Sequence, residues 1–333
     1  MSILEQRVLV HDSAVWRTAD LERDREWVIA WSAAELAEMR AIAAAAGHNW
    51  HEANKFDVAA PALTQRLEAL ASTLETGKGL VLLRGAPVDA WTEAEAKAVT
   101  LWMGWRLGVP RGQNAEGALL SAVRDVGASY ANDPEARGYM SSDELQPHTD
   151  GCDVTGLMCF KRSKQGGETR IASSLAIYNH ICETEPELIE PLVHGFPFYI
   201  RDADGKGGRL LPAPLPVYFE QAGFVSACFN PKSVEVAAAK RGEPLSHLER
   251  RALERVRELA GDPQFCAELL LEPGDMLLFS NWTTFHSRRS FVDHDDPAER
   301  RCLIRLWIHS RVERPLPMWM AAAARGGLGQ QST

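Results

Sequence analysis

The stretch Gln146-Pro147-His148-Thr149-Asp150 places an imidazole and a carboxylate two residues apart. In an extended segment, side chains at this spacing leave the same face of the strand, so both can converge on one metal ion. These donors suit a divalent metal such as Fe(II), but two ligands alone do not hold it firmly. The best third candidate is His286, which follows the apolar run that begins at Gly274. The sequence therefore predicts a two-histidine, one-carboxylate metal site of the non-haem iron type.

Composition narrows the class of protein. The chain has 333 residues, which fits one large domain or two small ones, and its 45% apolar content is ordinary for a globular core. The net charge of −9 and the absence of any Lys/Arg-rich run argue against a nucleic-acid partner.

Cysteine spacing and hydropathy indicate the compartment. The six cysteines are scattered without a CxxC pair, and the amino terminus has no signal-peptide pattern. These features predict free thiols and a cytoplasmic location. No apolar run reaches the ~18 residues that a membrane span requires. The expected partner is a small-molecule substrate, without nucleic acid or membrane, and homo-oligomerisation stays open.

The order of predicted elements indicates the fold class. Helices gather near the start, where Ser32 and Thr92 each open a capping box with a glutamate three residues later. Strands occupy the middle and the end, including a hairpin predicted over 156–174 and an extended segment predicted over 276–291. No regular strand–helix alternation appears. We therefore expect a mainly β fold with flanking α-helices, built on a double-stranded β-helix (jelly-roll, cupin-like) core.

We expect this core to belong to a single domain that spans residues 1–333. Residues 1–30 are interpreted as an N-terminal embellishment. Residues 109–147 are rich in Gly, Pro, Asn, Asp and Ser, and such a long loop is typical of an active-site loop region. The small, polar residues 321–333 are expected to form a disordered tail.

The last strand carries an unusual pair of charges. By strand alternation, Arg301, Leu303, Arg305 and Trp307 share one face. Two arginines that leave a hydrophobic strand on the same side are costly unless an anion meets them. Arginine also grips carboxylates through two parallel hydrogen bonds. A metal site beside such a clamp is what an iron enzyme with a dicarboxylate co-substrate needs.

These motifs together carry a resemblance to a known family. In order they are Leu82-Leu-Arg-Gly85, His148-Thr-Asp150, Gly167-Glu-Thr169, the Gly274-Asp-Met-Leu-Leu-Phe279 strand leading to His286, and Arg301-Cys-Leu-Ile-Arg305. The chain resembles the TauD/TfdA family of Fe(II)- and 2-oxoglutarate-dependent dioxygenases between Gly79 and Trp307.

The resemblance implies a role for each matching residue. His148, Asp150 and His286 would be the iron ligands, and Thr169 and Arg301 would bind the distal carboxylate of 2-oxoglutarate. Arg305 would hold a second carboxylate or the substrate, although an internal ion pair explains it equally well. The implied cofactors are Fe(II), 2-oxoglutarate as co-substrate and O2.

The implied activity couples oxidative decarboxylation of 2-oxoglutarate, to succinate and CO2, to hydroxylation of a small molecule. Because Asp150 is present, halogenation is disfavoured, whereas desaturation or cyclisation stay open. The alternatives are a non-catalytic metal-binding jelly-roll sensor, which would not need the Arg301/Thr169 clamp, and a zinc hydrolase, for which no convincing general base is visible.

Substrate contacts are expected in the loop before the metal stretch, because polar residues on a long loop beside a metal tend to face the substrate. The candidates are Gln113, Asn114, Arg124, Tyr130 and Tyr139, together with Arg305.

Overall fold

A computed structural model describes residues 4, 6–47, 49–127, 138–202 and 207–321. Residues 322–333, nearly all of the expected disordered tail, lie outside these ranges. Within the described ranges, no helix is long and apolar enough to cross a membrane. All six cysteines are free, as predicted.

Helices cover one side of the amino-terminal half and reappear after residue 174. They are α1 (Thr18–Arg23), α2 (Ala33–Ala46), α3 (Pro61–Glu75), α4 (Glu93–Leu107), α5 (Ser174–Thr184), α6 (Ile189–His194), α7 (Pro231–Arg241) and α8 (His247–Gly261).

Strands are short, and most of them fall after residue 107. They are β1 (Val28–Ala30), β2 (Leu80–Arg84), β3 (Gly108–Pro110), β4 (Leu120–Val123), β5 (Leu145–His148), β6 (Val154–Lys161), β7 (Gln165–Gly166), β8 (Thr169–Ser173), β9 (Tyr199–Arg201), β10 (Gly208–Leu210), β11 (Tyr218–Gln221), β12 (Phe224–Ala227), β13 (Cys266–Leu269), β14 (Met276–Ser280), β15 (Thr284–Arg288), β16 (Phe291–Val292) and β17 (Cys302–Ser310).

Two sheets organise these strands. The larger sheet has the order β1-β2-β14-β6-β17-β3, with β4 also paired to β17. The smaller sheet has the order β13-β8-β15-β5. The remaining described strands form the pairs β9–β10, β11–β12 and β7–β16. A mixed architecture of sheets with flanking helices is therefore observed, as expected.

Local sequence signals set the first helices. The Ser32 hydroxyl accepts from the Glu35 backbone N–H, and the Glu35 carboxylate accepts from the Ser32 N–H at 2.7 Å. Thr92 and Glu95 make the same reciprocal pair at the start of α4. These hydrogen bonds confirm both predicted capping boxes. Each box satisfies backbone N–H donors that an isolated helix end leaves free.

The predicted hairpin over 156–174 is wrong. Strand β6 pairs with β14 and β17 in the larger sheet, whereas β8 pairs with β13 and β15 in the smaller one. The glycine-containing turn between them therefore moves the chain from one sheet to the other. Glycine and polar residues suit a hairpin turn and a sheet-to-sheet corner equally, so local pattern does not separate them.

The extended segment predicted over 276–291 is also interrupted. Strand β14 ends at Ser280 in the larger sheet, and β15 begins at Thr284 in the smaller one. The Thr284 hydroxyl donates to the Ser280 carbonyl at 2.6 Å and stabilises the corner between them. Strand alternation therefore holds within each strand but not across residues 281–283.

The described part of residues 1–30 belongs to the core and is not an embellishment. Strand β1 pairs with β2 in parallel, and the side chains of Trp16, Leu21 and Trp27 are buried. The Trp27 indole N–H donates to the Leu21 carbonyl at 2.9 Å. Tryptophan buries a large apolar area, so these residues anchor the segment despite the charges around them.

One buried arginine joins distant parts of the chain. Arg314 is fully buried, and its Nη2 lies 3.0 Å from Asp12 Oδ2. The same guanidinium donates to the Glu75 carbonyl at 2.8 Å, the Val225 carbonyl at 2.8 Å and the Ser226 hydroxyl at 3.0 Å. A buried charge with this many partners is stabilised in place.

The carboxylate of Glu75 lies near this cluster and should make the stability of the protein depend on pH. Neither of its carboxylate oxygens has a hydrogen-bond partner among the described residues. Burial, reinforced by the charge of Asp153, raises its pKa well above the usual value, and Arg314 only partly opposes this. The folded protein therefore holds this proton more tightly than the unfolded chain, so Glu75 lowers stability as pH rises above about 4.5.

Replacing Glu75 by glutamine should remove that pH dependence. We expect the stability of the Glu75→Gln variant relative to the native chain to increase with pH above 5, by at most about 1.4 kcal/mol per pH unit. Urea unfolding at pH 5, 6, 7 and 8 measures the difference. Parallel stability curves for the two proteins would contradict the prediction.

Candidate metal centre and co-substrate pocket

Strand pairing brings the three predicted metal ligands together. In the pairing of β5 with β15, His148 lies opposite His286, and Asp150 follows β5 by two residues. One ligand atom from each residue lies within 4.8 Å of the other two. Asp150 Oδ2 is 3.6 Å from His286 Nε2, and Asp150 Oδ1 is 4.0 Å from His148 Nε2.

The orientation of His148 suits metal binding. Its Nδ1 lies 2.8 Å from the backbone carbonyl of Gln146. A carbonyl only accepts hydrogen bonds, so Nδ1 carries the proton and the Nε2 lone pair faces Asp150 and His286. Such a bond is the usual way in which a protein orients a histidine ligand.

Several donors hold the Asp150 carboxylate in place. Trp307 Nε1 donates to Oδ2 at 2.9 Å, and the Thr155 hydroxyl donates to the same oxygen at 3.0 Å. The Asn281 side-chain oxygen accepts from the Asp150 backbone N–H at 2.9 Å. Arg305 Nη1 lies 3.9 Å from Oδ1. The carboxylate therefore has a fixed direction before any metal binds.

The protonation states also suit a cation. Burial would raise the pKa of Asp150, but the charge of Arg305 and the two neighbouring imidazoles outweigh it and lower this pKa to about 2. Burial, together with the neighbouring His148, lowers the pKa of His286 to about 3. At neutral pH, Asp150 is ionised and His286 is neutral, which are the forms that bind metals. This donor set therefore fits Fe(II).

The three residues line a cavity of about 370 Å³ between the two sheets. Arg301, which immediately precedes β17, and Leu303, Arg305 and Trp307 of β17 all line it, which confirms that they share one face. Thr169 lines the cavity from β8 and is also buried. The structure thus places the proposed metal ligands and the predicted carboxylate clamp in one space.

Arg301 is held at one wall of this cavity. It is only 3% exposed, and its guanidinium lies 5.0 Å from the centre of the Phe291 ring. Burial lowers its pKa to about 10, so it stays charged at neutral pH. Gly167, at φ +80°, packs against it, since a Cβ there would lie 3.2 Å from Arg301 Nε.

Arg305 is oriented by three neighbours. Its Nε donates to the Gln113 side-chain oxygen at 2.8 Å, and its guanidinium lies 4.8 Å from the Tyr139 ring and 4.7 Å from the Trp307 ring. The Gln113 amide in turn donates to the Leu119 and Arg305 carbonyls. Gln113 therefore lines the cavity mainly as a support for Arg305.

The remaining substrate candidates from the loop have different positions. Asn114 and Tyr139 line the cavity. Arg124 lies in a second cavity, where it donates to Glu93 at 2.9 Å and to Cys302 Sγ at 3.0 Å, so the structure does not bring it together with the other candidates. Adjacent side chains of an extended segment point to opposite faces. Because Val123 lines the central cavity, the next side chain, that of Arg124, points away from it. Tyr130 lies outside the described residues.

Sequence reasoning missed part of the cavity wall. Arg288 follows His286 by two residues, so the same alternation that places His286 could have identified it. The outer wall comes from segments after residue 197 that carry no recognisable motif, and its residues include Phe198, Tyr199, Arg201, Asn230 and Lys232.

Loss of the Trp307 hydrogen bond should weaken metal binding. We expect Trp307→Phe to lower Fe(II) affinity by about tenfold or more, since partners that orient a ligand typically contribute 10–100-fold. Anaerobic calorimetric titration with Fe(II) measures the change.

Trp282→Phe is the matched control, because Trp282 donates to Asp153, which is not one of the three predicted ligands, at 3.1 Å. Its Fe(II) affinity should stay within about twofold of the native value. Equal losses in both variants would show that the Asp150 contact has no special role.

Comparisons with known proteins identify the family of this chain. The model of the family described as "Taurine catabolism dioxygenase TauD, TfdA family" matches residues 41–307. The FR-33289 synthase of Streptomyces rubellomurinus is 30% identical over 311 residues, which cover 91% of each chain. The taurine hydroxylase-like protein SAT17 of Stachybotrys chartarum is 25% identical, over 89% of this chain and 79% of that protein.

A solved structure shows the same fold. Asparagine oxygenase in complex with Fe(II), (2S,3S)-3-hydroxyasparagine and succinate superposes with a TM-score of 0.68 at 18% identity, over 85% of this chain and 94% of that chain. The relatives are named as enzymes, which does not favour the non-catalytic alternative. The match over most of its length shows that the chain belongs to the TauD/TfdA family of Fe(II)- and 2-oxoglutarate-dependent dioxygenases.

Proposed function

We propose that His148, Asp150 and His286 hold Fe(II) as a two-histidine, one-carboxylate triad. The observation that carries this assignment is the approach of their ligand atoms to within 4.8 Å, in a cavity that also contains a buried arginine. Three protein ligands leave neighbouring coordination positions open for other molecules. With 2-oxoglutarate and O2, iron in such a site supplies the oxidative decarboxylation to succinate and CO2 and the oxidation of a substrate C–H bond.

Thr169 and Arg301 bind the distal carboxylate of 2-oxoglutarate in this proposal. Both are buried on the same cavity as the triad, and Arg301 keeps its charge at neutral pH. A buried guanidinium is strongly stabilised by an oxyanion. With the distal end held there, the 2-oxo acid end is free to reach the metal ligands across the cavity.

The protein's own contribution to the reaction is positioning. Arg305, fixed by Gln113, Tyr139 and Trp307, presents its guanidinium beside Asp150. It orients the substrate so that one carbon faces the metal. Hydroxylation is the expected outcome, and desaturation or cyclisation would need only a different alignment of that carbon.

The primary substrate carries an anionic group. Among the described residues that line the cavity, cationic side chains outnumber carboxylates by six to two. The carboxylates are Asp150 and Asp202. The cations are Arg111, Arg201, Lys232, Arg288, Arg301 and Arg305. Fe(II) and doubly charged 2-oxoglutarate cancel one another, so the excess of four positive charges persists. A cavity with such a field concentrates anions. The name of one relative agrees, because taurine is a sulfonate.

The proposal extends to the fold of the core and to the cellular location. The two sheets form the two halves of a double-stranded β-helix, and one dioxygenase domain spans residues 1–333. Six free thiols support a cytoplasmic location.

Removal of Arg301 should weaken the binding of 2-oxoglutarate. We expect Arg301→Gln to weaken 2-oxoglutarate binding by about 10–100-fold, since a hydrogen bond to a charged group contributes about 1.5–3 kcal/mol. The measurement is the iron-to-2-oxo-acid charge-transfer absorption in anaerobic protein, followed by succinate formation in air. A native protein with bound iron, no such absorption and no succinate would refute the proposed function.

Loss of Arg305 should affect the substrate and leave 2-oxoglutarate unaffected. In a panel of anionic and neutral small molecules, we expect only anionic ones to stimulate succinate formation. Arg305→Gln should lower kcat/KM for the active compound by about 10–100-fold, with the affinity for 2-oxoglutarate nearly unchanged.

Arg124→Gln is the matched control, because Arg124 lies in the second cavity with Glu93. It should keep the native kcat/KM. Stimulation by neutral compounds alone, or an equal loss in both variants, would be evidence against an anionic substrate held by Arg305.

A further inference from the structure

A second buried guanidinium lies beside Arg301. Arg288 ends β15, two residues after His286, and lines the same cavity. It is only 4% exposed. Its guanidinium lies 4.9 Å from the centre of the Phe291 ring, and that of Arg301 lies 5.0 Å from the same ring. Two cations therefore meet at one aromatic side chain inside the protein.

Only part of the Arg288 guanidinium is used within the protein. Its Nη2 donates to the Ser141 carbonyl at 2.5 Å and to the Asp143 carbonyl at 2.6 Å. Its Nε and Nη1 have no hydrogen-bond partner among the described residues. Buried donors are normally satisfied, so two unpaired ones in a residue that lines the cavity indicate a ligand that accepts from them.

The register of the smaller sheet shows where this ligand would lie. In the antiparallel pairing of β15 with β8, Arg288 lies directly opposite Thr169. Directly opposed residues project from the same face with Cβ atoms about 5 Å apart. Arg288, Thr169 and Arg301 therefore surround one end of the cavity.

We propose that Arg288 is a second binding residue for the distal carboxylate of 2-oxoglutarate, acting together with Arg301. This inference rests on the proposed function, since it needs 2-oxoglutarate in this cavity. A carboxylate has enough lone pairs to accept from both guanidiniums and from the Thr169 hydroxyl. An unpaired N–H of Arg288, on Nε or Nη1, binds the anion, while its Nη2 holds the 141–143 segment that leads into the metal-binding strand.

The experiment compares two 2-oxo acids that differ only at the distal end. 2-Oxoglutarate has a carboxylate there, and 2-oxopentanoate has a methyl group in its place. Each is titrated into anaerobic Fe(II)-loaded protein, and the dissociation constant comes from the charge-transfer absorption or from calorimetry. The dissociation constant of 2-oxopentanoate divided by that of 2-oxoglutarate measures recognition of the distal carboxylate. This ratio is independent of any loss of folded protein.

We expect Arg288→Gln to weaken 2-oxoglutarate binding at least tenfold and to change 2-oxopentanoate binding by less than about twofold. Arg288→Lys should also lower the ratio, by a smaller factor, because it keeps the charge but loses the planar donors. Either variant gives the ratio if the other fails to fold.

Arg170→Gln is the matched control for a buried arginine nearby. Arg170 ion-pairs with Glu144 and Glu268 and does not line the cavity, so its ratio should equal the native one. Equal weakening of both acids in the Arg288 variants, or no change in either, would overturn the inference and assign Arg288 to the support of residues 141–143 alone.

The Arg301→Gln variant separates this result from the proposed function. If the ratio falls for Arg301→Gln but not for the Arg288 variants, the proposed function stands and only the role of Arg288 fails. If native protein itself does not distinguish the two acids, the assignment of the distal carboxylate to this wall fails as a whole.

Discussion

The pairing of β5 with β15 is the constraint on which the site depends. It sets His148 opposite His286 in the smaller sheet. The third ligand reaches them because Trp307 and Thr155, both from the larger sheet, hold the Asp150 carboxylate over the gap. A slip of one residue in either sheet would turn these side chains to opposite faces. The proposed metal centre therefore depends on how the two sheets pack together and not on one segment alone.

Much of the site could be predicted from short-range periodicity, because its residues lie in strands or within two residues of a strand end. Alternation correctly placed four side chains on one face, and all four line the cavity: Arg301, Leu303, Arg305 and Trp307. It failed for the hairpin over 156–174 and for the segment over 276–291, where the chain moves between sheets. Such corners use the same small and polar residues as ordinary turns, so their direction depends on long-range packing. Arg124 lies away from the central cavity for a related reason, since the direction of its side chain follows from the pairing of the preceding strand, β4, with β17.

The charges of the cavity are consistent with the proposed binding of a dicarboxylate. At one end, Asp150 and two imidazoles present a donor set for a cation. At the other end, Arg288 and Arg301 are buried against Phe291. Like charges held together away from water destabilise a fold until a counter-charge arrives. In the proposed function, this arrangement would favour a ligand with an acid group at that distance from the metal ligands.

The buried Arg314 has a consequence for how the chain is made. Its ion pair with Asp12 joins residues 302 positions apart, and it also binds backbone carbonyls near residues 75 and 225. During synthesis Asp12 leaves the ribosome early, and its ion pair with Arg314 cannot form until nearly the whole chain has emerged. Early segments such as α2 to α4 can become helical during synthesis, but this part of the core closes only afterwards. Truncations that remove Arg314 should therefore leave nascent chains that depend on chaperones, even though the three proposed metal ligands are present.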